Sequence, residues 1–467
     1  MSPLKYDCII VGAGPAGIFT AMEYLERSPG KKLLIIERGE RIEERSCPMR
    51  ESGRCHRCAT CGIMAGFSGA GAFSDGKLML SPEIGGVLNE YLPDDRLREL
   101  IGYVDGIYLS YGADPGLYGV DLEDAVLSDL RQKSVRNNLK LVESPVRHMG
   151  TEGSYRVYEK IQRDLLDRGV EMRFTTEVTD LIIEGDAVRG VRADADYYSD
   201  AVVLAVGRCG SAWLSELCAR YGIETKNGAV DIGVRIEIKN EIMEEVNDTV
   251  YESKLVYYTP TFDDRVRTFC QNPSGFVSSE YYQADLAVVN GHSYRSPEMK
   301  TENTNFAVLV SNYFTEPFRE PIEYGKYIAR LANMLSGNRI MVQRFGDFRR
   351  GRRTTPERLA RYSLRPTLHD AVPGDLSLVF PYRIMLDVKE MILALDGIFP
   401  GLAGDETLMY GVEVKFYSNR IMVDGHFQTR YRGLFVAGDG AGITRGLVQS
   451  SINGVILGRI LSGYENI

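Results

Sequence analysis

Four cysteines fall within fifteen residues: Cys47, Cys55, Cys58 and Cys61. In a chain of 467 residues such crowding points to metal, cluster or thiol redox chemistry rather than to a disulfide scaffold. The two-residue gaps on both sides of Cys58 suit an iron–sulfur cluster better than the separated pairs of most zinc sites. Cys47-Pro48 echoes the Cys-Pro ligand of bacterial ferredoxin runs, although here it lies on the opposite side. Arg45, Arg50, Arg54 and Arg57 would favour thiolates. Three readings stay open: a bound cluster or metal, a redox-active dithiol, or cysteines with no cofactor chemistry.

Other reactive groups stand singly. Cys270, in Phe269-Cys-Gln-Asn-Pro-Ser-Gly275, is a candidate nucleophile or proton donor, against the reading of a small buried residue before a turn. His292 is flanked by polar residues and is a candidate general acid. Arg344, Arg349, Arg350, Arg352 and Arg353 concentrate positive charge that would suit a carboxylate or phosphate, unless they form a solvated face.

A different chemistry is written at the start of the chain. Gly12-x-Gly14-Pro15-Ala16-Gly17 follows the apolar run Asp7 to Val11 and precedes the helical periodicity of Ile18 to Arg27. A second buried strand, Lys31 to Glu37, places an acid twenty residues beyond Gly17, with Arg38 next. Gly12 permits a tight turn, Gly14 lets backbone approach a pyrophosphate, and Gly17 allows close helix–strand packing. The helix N-terminus offers unpaired N–H groups to phosphates. Glu37 can accept both hydroxyl protons of an adenosine ribose and would repel a 2′-phosphate.

Near the other end, Gly438-Asp439-Gly440-Ala-Gly442 again follows an apolar strand and precedes a helix that begins after Gly446. One acid among glycines suits a ribityl chain, which favours FAD over NAD. These motifs, with Ala205-Val-Gly207 between them, resemble the glutathione-reductase-like FAD superfamily. Ser68-Gly-Ala-Gly-Ala-Phe-Ser-Asp-Gly-Lys-Leu78, Gly411-Val-Glu413 and Arg267 to Gly275 are similar to a narrower group, the bacterial and archaeal FAD-dependent dehydrogenases. Ser68 and Ser274 stand where that group has glycine. The resemblance implies a Rossmann-like FAD domain in which Glu177-Val178 approaches adenine, Ala205 and Gly207 border the cofactor, and Asp439 contacts the ribityl chain. It also places Gly71, Ser74 and Lys77 near the pyrophosphate or ring, with Lys77 a candidate to stabilise reduced flavin.

These sites require elements to hold them. The length exceeds what one core supports, so several domains are expected. The reading is an α/β fold: a Rossmann-like FAD-binding domain with an inserted α+β, antiparallel-sheet substrate domain. Residues 1–225 carry its N-terminal part, with the cysteine cluster at 47–61 and a partly helical excursion at 86–145. Residues 226–404 form the insert, whose alternating segments Val230 to Ile238 and Asn305 to Ser311 predict antiparallel strands. Residues 405–467 complete the FAD domain.

A net charge of -9 argues against nucleic-acid partners. No apolar run approaches the roughly 20 residues of a membrane helix, and the N-terminus lacks a secretion-signal layout, so a cytoplasmic location is expected. The leading function is an FAD-dependent oxidoreductase moving hydride between flavin and an unidentified small-molecule substrate. No second Gly-x-Gly-x-x-Gly appears, so the reductant is NAD(P)H bound transiently or a protein electron donor. The alternatives are an electron-transfer or regulatory flavoprotein using the cysteines, and a flavin-dependent RNA-modifying enzyme.

Overall fold

The computed structural model describes residues 4–48, 56, 58–119, 124–282, 286–294, 296–315, 317–318 and 320–464. In chain order its principal elements begin with β1 (Cys8–Val11), α1 (Pro15–Arg27), β2 (Leu33–Ile36) and β3 (Leu139–Val142). Next come α2 (Gly150–Asp167), β4 (Glu171–Arg173), β5 (Val202–Leu204), β6 (Val230–Lys239) and β7 (Lys254–Tyr258). They are followed by β8 (Arg265–Asn272), β9 (Phe276–Tyr282), β10 (Leu286–His292) and β11 (Asn303–Asn312). The chain closes with α3 (Pro321–Ser336), β12 (Met341–Arg344), β13 (Val372–Pro373), α4 (Tyr382–Asp396), β14 (Leu408–Lys415), β15 (Leu434–Val436) and α5 (Leu447–Leu461). The fold is mixed α/β, divided into two compact units.

The first unit comprises Met1–Gly116, Arg147–Gly228 and Tyr417–Ile467. Its short, unbroken apolar runs form parallel strands buried on both faces, as such runs do in parallel sheets. Five strands pair in parallel in the order β4-β2-β1-β5-β15. The order reverses between β1 and β5, which opens a crevice at the carboxyl ends of these strands. All three glycine motifs of the sequence begin at such ends: Gly12 after β1, Gly207 after β5 and Gly438 after β15.

Helix α5 is buried from Val448 to Arg459, the mark of an interior helix. It packs directly on α1 because Gly454 and Gly458 have no side chains. A Cβ on Gly454 would stand 2.3 Å from the Ala16 carbonyl oxygen, and one on Gly458 would stand 2.7 Å from Glu23 Cβ. Burial pushes the Glu23 carboxyl up, but hydrogen bonds from Tyr103, Arg459 and Arg27 outweigh it and hold the group below its ordinary value.

The second unit comprises Leu117–Val146 and Ala229–Phe416. Its eight-stranded sheet has the order β13-β12-β14-β6-β11-β8-β7-β3, antiparallel except at the β12–β13 edge. The hairpin β9–β10 forms a separate pair. Alternation along β6 sends Ile232, Val234 and Ile236 into a core shared with α3 and α4. The opposite residues Asp231, Arg235 and Glu237 are also buried, where alternation alone predicts a solvated face.

Candidate functional site

The crevice of the first unit is shaped by glycine. Gly12 has φ of 103°, and a Cβ there would meet the Ala205 carbonyl oxygen at 2.4 Å, so this turn closes only without a side chain. A Cβ on Gly17 would stand 2.1 Å from the Gly12 carbonyl oxygen, which fixes α1 against the turn. Gly14, Gly207 and Gly446 differ: each would project a Cβ into space with no heavy atom within 4 Å. Pro15 occupies the first helical turn, where its missing N–H costs nothing. Ala16 lies beneath Gly438, whose Cβ would come within 3.1 Å of its methyl group. The starts of α1 and α5 thus border open space with unpaired backbone N–H groups.

Glu37 is buried, and its carboxylate already holds the surrounding backbone. One oxygen accepts from Ala13 N–H at 2.8 Å, and the other accepts from Gly39 and Gly66 N–H, each at 2.9 Å. A carboxylate offers about four acceptor positions. One remains, enough for a single ribose hydroxyl rather than the two that its position in the sequence suggests. Arg38 follows, and it is one of the cations that oppose the burial-driven rise in the Cys209 thiol pKa.

Arg45 has a role that sequence reasoning missed. Its guanidinium bonds the carbonyls of Gly62, Ile63 and Phe67 and the Ser68 hydroxyl, binding the loop after the cysteines. Burial pulls it down to about 10, which still leaves it cationic at neutral pH. Ser68 donates its N–H to the Ala13 carbonyl with φ of 77°, a left-handed conformation that favours glycine.

Gly71 packs under Tyr158, where a Cβ would come within 2.9 Å of the ring. The Ser74 hydroxyl donates to the Gly71 carbonyl, and Lys77 is buried in an ion pair with Asp75 at 3.0 Å. Val178 is buried in the segment after β4, and Ala205 N–H donates to the Val11 carbonyl. Asp439 accepts from the Thr444 and Ser450 hydroxyls at 2.9 and 2.8 Å and from Gly446 N–H at 3.3 Å. On α5, Gln449 Oε1 and Asn453 Nδ2 are buried with no partner among the described residues. The open glycine positions, the acid at the start of α5's loop and these orphaned amide atoms fit a phosphate-bearing dinucleotide. Gly12, Gly14, Gly17, Gly207, Asp439 and Gly446 would hold FAD.

The cysteine reading is only partly covered by the structure. Cys55 lies outside the described residues, as do Arg50, Arg54 and Arg57. Cys47 is half-buried, while Cys58 and Cys61 are exposed. Among the described residues, no three His, Cys, Asp or Glu side chains gather as metal ligands. An iron–sulfur cluster has no support here.

The remaining candidates lie in the second unit. Cys270 sits at a β-bulge near the end of β8 with φ of 49°, and its carbonyl accepts from Arg235 at 3.1 Å and Asn272 at 2.9 Å. His292 ends β10 opposite Phe276, with its ring edge-on to Tyr294 at 4.6 Å. Ser274 also adopts a left-handed φ, 49°. The arginine cluster is largely occupied by its own acids. Arg349 and Arg350 grip the two oxygens of Asp405, and Arg352 bonds Asp347. Arg344 is buried, bonded to the Asp405 carbonyl and stacked on Tyr362, while Arg353 is exposed. Among the described residues, no helix is long and apolar enough to cross a membrane.

Residues 229–416, most of the second unit, match the model of a family described as FAD-dependent protein, C-terminal domain-like. No curated protein matches the chain. Among solved structures, the chain is similar to L-proline dehydrogenase from P. horikoshii at 13% identity and a TM-score of 0.39, covering 98% of this chain and 93% of that one. Glycine oxidase from Geobacillus kaustophilus matches at 14% identity and 0.39, covering 99% and 96%. The L-amino acid deaminase from Proteus vulgaris matches at 14% and 0.40, covering 99% and 95%. The family match attaches FAD-dependent proteins to the second unit, and the glycine-lined crevice lies in the first.

Proposed function

We propose that this chain is an FAD-dependent oxidoreductase that moves hydride between the flavin and a small-molecule substrate. One observation carries the reading. Gly14, Gly207 and Gly446 all face empty space at loops that follow parallel strands or open α5, where a phosphate-bearing cofactor needs bare backbone. The family match on residues 229–416 supports the same cofactor. When bound, FAD supplies a ring that accepts or donates hydride. The protein's part is to bind, orient and tune. Backbone N–H groups at the starts of α1 and α5 face the phosphates, Glu37 takes one ribose hydroxyl, and Asp439 takes the ribityl chain. Lys77, with its charge partly offset by Asp75, is the candidate for tuning the ring. Electrons would come from NAD(P)H bound transiently or from a protein donor.

The test is purification without oxygen, a visible spectrum, and assay of the nucleotide released by heat. One FAD per chain with flavin absorption is expected. A colourless protein that refuses added FAD would overturn the reading. Iron and sulfide assays on the same sample are expected to be blank.

A further inference from the structure

The polar face of the second unit's sheet holds a cation that shares its carboxylate with another. Register places Lys415 of β14 opposite Asp231 of β6. Three ion pairs share this face, with Glu237 set apart and held by the neutral donors Asn303, Thr367 and Tyr410. Arg267 meets Asp231 at 2.6 Å, Lys254 meets Glu252 at 2.6 Å, and Arg235 grips Glu413 through two bonds of 2.7 and 2.8 Å. Arg235 and Glu413 have no solvent exposure at all, so their charges compensate each other directly. Lys415 enters this arrangement as a fourth cation. Among the described residues the carboxylate it pairs with is Glu413, at 3.0 Å on the oxygen that Arg235 already holds. One negative charge therefore serves two positive ones.

An ammonium has three N–H donors. One is directed to Glu413, and the other two find no acceptor among the described residues, although the side chain is only 9% exposed. A buried cation short of both counter-charge and acceptors is costly unless a ligand supplies them. The Phe269 ring lies 5.7 Å from the ammonium, with Arg267 and Lys254 4.7 and 5.5 Å from the same ring. An aromatic surface therefore adjoins the point of charge.

We propose that Lys415 is the anchor for the carboxylate of a monoanionic organic substrate whose apolar body lies against Phe269. The single surplus positive charge of the Arg235–Glu413–Lys415 group matches a carboxylate, whereas a phosphate dianion would over-compensate it. For its redox chemistry the proposal rests on the flavoenzyme reading; for binding it rests on the second unit alone. It also moves the anion site away from the arginines at 344–353, which Asp347 and Asp405 already engage.

The test is calorimetric titration of the full chain, with and without FAD, using benzoate and its neutral counterpart benzamide. Benzoate is expected to bind at least tenfold more tightly than benzamide, and inorganic phosphate should not displace it. Lys415→Met should weaken benzoate at least tenfold, and Lys415→Arg should keep affinity within about threefold. Equal binding of benzoate and benzamide, no benzoate binding, or undiminished binding by a folded Lys415→Met chain would each overturn the proposal. The wild-type comparison decides even if Lys415→Met fails to fold. Benzoate binding by a chain that refuses FAD would keep the anchor and discard the flavin reading, and FAD uptake without benzoate binding would do the reverse.

Discussion

The crevice of the first unit and the charged sheet face of the second are built on opposite principles. The crevice is made by removing side chains: Gly12 and Gly17 allow backbone to touch backbone, while Gly14, Gly207 and Gly446 leave room for something else. The sheet face is made by adding charge to positions that strand alternation would leave to water, and by cancelling most of it pair by pair. A site of the first kind tolerates no added atom. A site of the second kind tolerates no unpaired charge.

The sharpest way to break that contrast uses the glycines themselves. Gly12→Ala puts a methyl group 2.4 Å from the Ala205 carbonyl at a left-handed φ, and should cost about 3 kcal/mol or more in stability along with FAD binding. Gly14→Ala sets its methyl group in space with no heavy atom within 4 Å, and should weaken FAD binding while the melting temperature of the unliganded protein stays within a few degrees. If both variants melt alike, the division between packing and cradle glycines is wrong. On the sheet face, Arg235→Met leaves Glu413 without its main partner and should cost about 3–5 kcal/mol in urea unfolding, with cofactor binding retained in the folded fraction.

A smaller effect depends on pH. Burial pushes the Asp387 carboxyl up to about 6, against the Thr259 hydroxyl that donates to it at 2.7 Å and with the neighbouring Asp264 adding to the rise. Its other oxygen is buried with no donor among the described residues, as fits a group that keeps its own proton. The folded state therefore binds more protons than the unfolded one between about pH 4 and 6, and this contribution to stability falls as pH rises through that window. Asp264 works the other way, because the hydrogen bond from Arg383 holds its carboxyl low. The net loss should be about 1–2 kcal/mol, and Asp387→Asn should flatten it in melts taken from pH 4 to 7. The smallest expected effect is that of Arg349→Gln with Arg350→Gln. These solvent-screened pairs with Asp405 should shift the melting temperature little and less still in high salt, and their loss should leave benzoate affinity unchanged.

The same contrast explains what could be read in advance. Gly12, Gly17 and Gly438 were legible because close backbone packing or a left-handed φ requires glycine and leaves that requirement in the sequence, and Gly14 was legible from its spacing to them. Even the two departures from the resembled glycines make sense, since Ser68 and Ser274 both hold left-handed backbone that glycine would adopt more easily. The strands β6 and β11 were legible from alternation, but the burial of Arg235 and Glu237 was not. Arg235 and Glu413 are 178 residues apart and meet only through strand order and register. Lys415 escaped notice for the same reason, and Arg45 because four carbonyl and hydroxyl partners leave no trace in composition. The concentrated arginines were conspicuous in sequence, yet Asp347 and Asp405 largely occupy them.

The seating of α5 on α1 through Gly454 and Gly458 also dictates when the first unit can mature. Residues 434–461, which supply an edge of the parallel sheet and the helix covering Ala16 to Glu23, leave the ribosome after all the other strands of both sheets. Until they emerge, the nascent N-terminal segment carries an uncovered apolar helix and only part of the glycine-lined crevice. The second unit is already fully synthesised by then. The first unit therefore closes only after the second has been synthesised, and a chain stalled before residue 447 would display its α1 surface to chaperones and proteases.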